Sequence, residues 1–457
     1  MPQTSRLLIT LLLVASFTFA ADSAAVAATT EAGPAPTLND APAAGSSASQ
    51  EPAPHTRLPG WLNLSGEIRS RFEAPLGTGY EPEKADRYVL SRLRLGISLA
   101  PTRWLQLFAQ VQDSRVLEMN PPVRAATLHD PLDIRQAYLS LRSGEARGFS
   151  LRAGRQELSY AGGWLASASD WSNTTRVFDA AVASAYLPAA KLDLFAGSVV
   201  LPDFARLDRH KPGEHFYGSD LSLPHLIPMG TLEAFWMLKT EALVLSETGH
   251  KGMNHTHSGG FRVEGKLPYG VEYKSLLVRQ FGQYSSDRLE AWGGAHSLRI
   301  PFATLPWKPA LDFGYAHATG DAFKKDGVRN TFDSLYGGFH NFLGIADRMG
   351  WRNTLNRQTG LDFQPRTKWK INVDQRWLAL ASLGDDVYNT SGAKSTTTGK
   401  ATSRCLGREL DMFWNYRLSR SQTLGAGVGH LFPGPYLKQR TAGYSYTFPY
   451  VMWTKKL

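Results

Sequence analysis

Residues 62–73 read LNLSGEIRSRFE, and apolar and polar side chains alternate along this stretch. Residues 93–99, which read LRLGISL, show the same period of two. Successive side chains of a β-strand point to opposite faces, so each segment predicts a strand with one apolar and one polar face. The polar face of the first segment carries full charges, among them Glu67, Arg69 and Arg71.

The connections between such segments alternate between short and long. Eight short turns, such as 101–103 and 188–190, and nine longer polar segments join eighteen strands, with both ends of the chain on the short-turn side. The longer segments include 158–174, 246–257 and 320–352. This alternation is typical of outer-membrane barrels, which have brief periplasmic turns and long external loops. The sequence therefore predicts an all-β fold, a closed antiparallel transmembrane β-barrel of about 18 strands. The alternative is a large soluble β-sandwich, which has no place for eighteen apolar outer faces.

The N-terminal residues indicate export. Arg6 precedes an apolar run at 7–20, and Ala-Val-Ala follows at 25–27. A positive start, a short apolar core and an A-x-A site predict a secretory signal peptide over residues 1–27. Residues 28–57 are rich in Ala, Pro, Ser and Thr, which predicts a flexible periplasmic segment before a barrel that covers 58–457. With one cysteine in 457 residues, a framework of internal disulfides is excluded.

The charge of the polar faces indicates what the barrel carries. The chain has 50 Lys and Arg against 40 Asp and Glu, a net charge of +10. An eighteen-stranded barrel leaves an aqueous lumen, so the polar face of each strand is expected to line it. A positive field inside a low-dielectric wall concentrates anions, and the planar arginine side chain fits carboxylates. Alternatively, the charges pair across the lumen and only hold the shape of the barrel. The pore-lining candidates from alternation are Glu67, Arg69, Arg71, Arg92, Arg94 and Arg152.

Three motifs carry a family resemblance. They are DIRQAYL at 133–139, LRAGRQEL at 151–158 and NTTRVFDA at 173–180. Together with later blocks such as NTFDSLY at 330–336 and GWRNTL at 350–355, they resemble the alginate-export outer-membrane porins. The resemblance extends from about Trp61 to the C-terminus with the blocks in the same order.

The resemblance implies an eighteen-stranded barrel whose electropositive, arginine-lined constriction conducts anionic polysaccharide outward. It implies that the pore-lining residues include Arg69, Arg71, Arg94, Arg135, Arg152, Arg155, Arg176 and Asp179. By strict alternation, Arg135 and Arg155 lie on the opposite face from the polar residues of their strands. A bulge or an internal loop would be needed to turn these two side chains inward.

These observations predict a monomeric outer-membrane channel that is not an enzyme and needs neither cofactor nor metal. Its expected partners are an anionic polysaccharide or oligosaccharide and outer-membrane lipid. Periplasmic export components are further candidate partners, and binding to nucleic acid is not expected. Loops 320–352 and 384–405 are the candidate gates. Two alternatives stay open: a general or small-anion porin for uronate oligomers or phosphate, and a barrel-embedded hydrolase, for which no G-x-S-x-G motif stands out.

Overall fold

The structure, a computed structural model, describes residues 58–117, 127–144, 147–395 and 400–457. The predicted signal peptide at 1–27 and the predicted flexible segment at 28–57 lie outside the described residues and stay predictions. Within the described ranges, no helix has the length and apolar character needed to cross a bilayer.

The described chain forms eighteen long β-strands in a single sheet. In chain order they are β1 (Leu62–Glu73), β2 (Tyr88–Thr102), β3 (Leu105–Leu117), β4 (Asp130–Arg142), β5 (Gly148–Gln156), β6 (Phe178–Leu187), β7 (Ala190–Leu201), β8 (Glu214–Ile227), β9 (Gly230–Leu245), β10 (Lys251–Lys266), β11 (Glu272–Tyr284), β12 (Asp287–Pro301), β13 (Ala310–Ala318), β14 (Thr354–Phe363), β15 (Trp369–Ala379), β16 (Cys405–Arg417), β17 (Gln422–Pro433) and β18 (Tyr446–Lys456). Each strand pairs antiparallel with the next, and β18 pairs with β1 from Glu67 opposite Lys456 to Glu73 opposite Tyr450. The sheet is therefore closed, and the predicted barrel with its strand number is confirmed.

The two faces of the barrel wall have the polarity of a protein that sits in lipid. On β1, Ile68 and Phe72 are exposed, whereas Arg69 and Arg71 are 5% and 2% exposed. A soluble protein shows the opposite arrangement, with charged side chains outside and apolar ones inside. The predicted alternation is therefore correct, and its apolar side is the outer one.

Short elements lie in the long connections. Two-residue strands at Arg209–His210 and Val328–Arg329 pair with β7 and β12. Helix α1 (His340–Leu343) and helix α2 (Pro435–Arg440) lie before β14 and β18. The sequence predicted strands alone, and helices of four and six residues are too short to produce a helical period that could be recognised.

Two connections on the long-loop side are short. Only 246–250 joins β9 to β10, and only 285–286 joins β11 to β12. The predicted loop at 246–257 is therefore wrong in its second half, because β10 begins at Lys251. There the strand alternates buried Thr256 and Ser258 with partly exposed histidines, so that both faces are polar. Without an apolar face, the sequence gives no strand period to detect.

The interior of the barrel is partly filled by two of its own connections. Residues 157–177, termed the inner loop, and residues 319–353 fold against inward-facing apolar side chains of β6 to β13. The buried cluster includes Leu158, Leu165, Phe178, Phe216, Met237, Val278, Phe332, Tyr336 and Trp351. The lumen is thus not polar throughout, as alternation in the first strands had suggested, because the inner face of β6 to β13 carries apolar residues. Most of the buried charged residues of the strands lie along β1 to β4 and β14 to β16.

The polarity of the outer face can be tested at Leu95, which lies in the middle of β2 and is 48% exposed. Leu95→Arg is expected to lower the free energy of unfolding by about 2–4 kcal/mol, because it places a charge near the bilayer midplane. The measurement is urea unfolding from phospholipid vesicles. Leu418→Arg, at a similarly exposed leucine in a short turn, is the control and should cost at most about 1 kcal/mol. Equal losses in the two variants would contradict the assignment of the outer face.

Candidate functional site

Strands β1 and β2 bring four arginines together on the inner face. Arg69 lies opposite Arg92 in the antiparallel register, and Glu67 lies opposite Arg94. Arg71 is two residues further along β1 and therefore shares the face of Arg69. Like charges directly opposite each other on neighbouring strands are destabilising. The burial of these arginines, each at most 7% exposed, therefore requires acceptors close by.

Two of the acceptors come from β1 itself. Glu67 accepts hydrogen bonds from Nη2 of Arg92 at 2.5 Å and from Nε of the same side chain at 3.1 Å. Glu73 accepts a hydrogen bond from Nε of Arg71 at 2.5 Å. Because these carboxylates and guanidinium groups lie on adjacent positions of the wall, this part of the site is built by the strand register alone.

The inner loop supplies the other acceptors through three successive backbone carbonyls. The carbonyl of Asp170 accepts from Arg69 at 2.7 Å and from Arg92 at 3.1 Å. The carbonyl of Trp171 accepts from Arg71 at 2.7 Å, and the carbonyl of Ser172 accepts from Arg69 at 3.0 Å. The guanidinium of Arg71 also lies 3.7 Å above the centre of the Trp171 ring. The arginines of β1 and β2 therefore hold one short stretch of the inner loop against the wall.

The side chain of Asp170 adds a charge to this contact. Its carboxylate accepts from Nη1 of Arg94 at 2.9 Å and lies 3.1 Å from Nη2 of Arg92. Desolvation raises the pKa of Asp170, but the positive charges of Arg92 and Arg94 outweigh it and hold the pKa well below its usual range. The carboxylate is therefore ionised at neutral pH, although about half of the side chain remains exposed to the lumen.

The residues after Ser172 fasten the loop to β2, β3 and β4. Asn173 is fully buried and its amide donates to the carbonyls of Ser91, Arg115 and Leu128. The hydroxyl of Thr175 accepts from Arg94 at 3.1 Å. Because each of these partners lies on the wall or directly before it, the loop is tied along its whole second half.

Arg135 completes the arginine cluster, which is defined as Arg69, Arg71, Arg92, Arg94 and Arg135. The register between β3 and β4 shifts at Gln110, where Arg135 is the extra residue of a bulge. This bulge turns the side chain inward, where it donates to Thr175 at 2.9 Å and to Gln110 at 2.7 Å and pairs with Glu157. Arg135 therefore has the bulge that the sequence analysis required for its side chain to face inward.

Arg155 and Asp179 lie apart from the cluster. The pairings of β5 with β4 and β6 run without a shift, so Arg155 keeps the face of the exposed Leu151. Its guanidinium binds Asp179 on the neighbouring strand at 2.8 and 3.3 Å. The pair lies at the ends of β5 and β6 from which the inner loop departs, and no bulge turns it toward the arginine cluster.

The two remaining candidates contact other parts of the interior. Arg152 lies on the inner face of β5, hydrogen-bonds Gln156 and has its guanidinium 5.4 Å from the ring centre of Tyr138. Arg176 donates to the carbonyls of Ser167 at 3.2 Å and Gly337 at 3.3 Å. It therefore joins the inner loop to the loop at 319–353 and is not part of the arginine cluster.

The sequence predicted one acceptor of the site, Glu67, but not the acceptors of the inner loop. Asp170 and Trp171 fall in a segment predicted as an external loop, and nothing in their spacing indicates that this loop folds inward. The motif at 173–180 contained Asn173 and Thr175, yet only its charged residues were assigned a role. Gln112, which accepts from Arg94 at 2.7 Å, is buried on β3 and could have been found from the alternation.

A closed antiparallel barrel with an apolar outer surface and charged residues inside defines an outer-membrane channel. A sequence profile described as alginate export matches residues 60–450, so the chain belongs to the alginate export family. This confirms the family that the motifs suggested. No curated protein matches the chain.

Solved structures of similar fold include proteins of Pseudomonas aeruginosa and Acinetobacter baumannii. The outer membrane protein OpdK of Pseudomonas aeruginosa has a TM-score of 0.58 and 11% identity, over 87% of this chain and 98% of its own. OccAB4 of Acinetobacter baumannii has a TM-score of 0.57 and 11% identity over the same shares. OccK11 (OpdR) of Pseudomonas aeruginosa has a TM-score of 0.53 and 14% identity, over 87% and 96%. At these identities the likeness shows the fold alone.

The contact between loop and wall can be tested at Asp170. Asp170→Asn keeps the backbone carbonyl but removes the charge shared by Arg92 and Arg94, so amide exchange in the inner loop should quicken by about fivefold at pH 7. The measurement is hydrogen exchange with mass spectrometry. Because the folded pKa is lowered, the contribution of this carboxylate is complete above the unfolded value of 3.8 and is lost only as the pH falls toward the folded value.

The wild-type loop should therefore exchange with the same protection at pH 5 as at pH 7, after correction for the intrinsic rate. Glu81→Gln, which breaks an exposed ion pair with Lys84 at 2.8 Å, is the matched control and should leave the inner loop unchanged. Unchanged exchange of the inner loop in Asp170→Asn would show that its carboxylate does not hold it.

Proposed function

We propose that this channel conducts an anionic polysaccharide of the alginate type across the outer membrane, and that the arginine cluster together with Arg152 forms its selective lining. The observation that carries the proposal is the set of buried arginines that donate to three neutral carbonyls of one loop. The transport involves no covalent step and no cofactor, and a single chain forms the channel.

The proposed mechanism is an exchange of acceptors on the arginines. A hydrogen bond from a guanidinium to a carboxylate is shorter and about twice as strong as one between neutral groups, so a uronate carboxylate competes well with a backbone carbonyl. Each carbonyl of residues 170–172 that is replaced weakens the attachment of the inner loop. Glu67 and Glu73 stay on the wall and limit the positive field, so a polymer is attracted without being held at every residue.

The position of the inner loop sets the charge that a passing anion meets. With the loop in place, the five arginines of the cluster face four carboxylates, Glu67, Glu73, Glu157 and Asp170. Two of these carboxylates belong to the loop itself. Displacing the loop would therefore leave five arginines against two carboxylates on the wall, and anion selectivity would increase as the lumen opens.

One observation favours the second candidate, a small-anion porin. The apolar contacts among Leu165, Phe332 and Trp351 fill part of the interior, which leaves less room for a polymer. A solved structure of OpdK, which covers 86% of this chain at 12% identity, is described as a complex with vanillate, a small carboxylate. The two candidates share the arginine lining and differ in the length of the anion that passes.

The role of the arginines can be measured by conductance in planar bilayers. Arg69→Gln combined with Arg94→Gln is expected to lower the anion-to-cation permeability ratio at least about twofold, since two positive charges leave the lumen wall. Reversal potentials in a salt gradient give the ratio. Arg366→Gln, in the short turn before β15, is the control and should keep the wild-type ratio. An unchanged ratio in the double variant would rule out the arginine lining.

The length of the transported anion separates the two candidates. Mannuronate oligomers of increasing length are expected to block single-channel current for longer times as length increases, because more carboxylates engage the arginines at once. Neutral glucan oligomers of the same length should block little. Block by single uronates that disappears for longer oligomers would instead favour the small-anion porin.

A further inference from the structure

Three aspartates meet at the loop-bearing end of the barrel, and one of them, Asp133, lies two residues before Arg135 of the arginine cluster. Asp130 and Asp133 belong to the first residues of β4, and Asp208 belongs to the connection 202–213 between β7 and β8. Each offers one carboxylate oxygen, and these three oxygens lie within 4.8 Å of one another. They are termed the aspartate cluster.

Two of these carboxylates are buried without adequate partners. Asp130 is 3% exposed and Asp133 is 4% exposed. Oδ1 of Asp133 accepts no hydrogen bond. The carboxylate of Asp130 has neither a hydrogen bond nor an ion pair within the described part of the chain, and the charges that act on it are those of other aspartates, Asp133 first. The ionised form of a buried carboxylate in this situation is strongly unfavourable, so the group is either protonated or neutralised by a cation.

Among the described residues, the cation in contact with the aspartate cluster is Arg155, whose Nη1 lies 3.5 Å from Oδ1 of Asp133. Four of its five N–H donors are engaged elsewhere, with two on Asp179 and one each on the carbonyls of Ile134 at 3.1 Å and Asp208 at 2.9 Å.

We propose that the aspartate cluster is a binding site for a Ca²⁺ ion. Calcium binds carboxylate and carbonyl oxygens at about 2.3–2.6 Å, so oxygens on opposite sides of the ion are about 4.6–5.2 Å apart, and those on adjacent sides are closer. The spacing of the three oxygens fits this range. Magnesium requires shorter distances and retains several waters, which suits a site with two buried carboxylates less well.

The ion would strengthen a contact between two parts of the barrel. The backbone N–H of Asp208 donates to Oδ2 of Asp133 at 2.5 Å, so the connection 202–213 already touches β4 at this point. A bound Ca²⁺ would fix this connection to the start of β4 and beside the Arg155–Asp179 pair. The site therefore serves to hold an external loop, independently of what the channel conducts.

The test is calorimetric titration of the detergent-solubilised full chain with CaCl₂, after treatment with EDTA and free of lipopolysaccharide. The wild type is expected to bind one Ca²⁺ ion with a Kd of about 1 mM or tighter and to melt at a higher temperature when the ion is present. Asp130→Asn and Asp208→Asn should each weaken binding at least about tenfold and remove the rise in melting temperature. MgCl₂ should bind more weakly than CaCl₂.

The matched control is Asp386→Asn, at an aspartate of another loop that pairs with Lys394 at 2.8 Å and Lys324 at 3.2 Å. It should bind Ca²⁺ as the wild type does. If Asp130→Asn does not fold, Asp208→Asn decides, because its side chain is on a loop and less buried. Absence of Ca²⁺ binding by the wild type, or wild-type affinity in Asp208→Asn, would overturn the proposal.

Discussion

The hydrogen bonds between the arginine cluster and the carbonyls of residues 170–172 are the contact on which the interior depends. Arg69 and Arg92 stand opposite each other on neighbouring strands and are buried, which is tolerable only if acceptors surround them. The inner loop has the reverse requirement, since backbone carbonyls inside a barrel need donors to replace water. The arginine donors of the wall and the carbonyl acceptors of the inner loop therefore satisfy each other's hydrogen-bonding requirements, and each explains the conformation of the other.

The strands of the barrel wall can be predicted from the sequence because the lipid outside and the lumen inside differ so strongly in polarity. Lipid outside and charge inside impose a period of two on residues 62–73. The same period in other strands predicts the number of strands, and the motifs indicate the family. Where that contrast is missing, a strand leaves no period in the sequence. At 251–258 both faces of the strand are polar, so the sequence predicts a loop where the structure has a strand.

The interior could be predicted only in part, because it depends on contacts between residues far apart in the chain. The buried arginines of β1 and β2 follow from alternation, but their acceptor, Asp170, is about 100 residues away and lies in a segment without a period. Strict alternation places both Arg135 and Arg155 on the outer face, but the structure turns only Arg135 inward. A bulge opposite Gln110 turns Arg135 inward, and the regular pairing of β5 leaves Arg155 on the other face.

The pairing of β18 with β1 bears on how such a chain is assembled. This seam contains seven residue pairs, against twelve between β1 and β2, and its partners are almost four hundred positions apart. Contacts of such separation form slowly, because a long loop must close before any hydrogen bond rewards it. Until the last strand arrives, both ends of the sheet present unpaired backbone, which favours aggregation. The chain therefore needs protection from aggregation until its last strand has paired with the first.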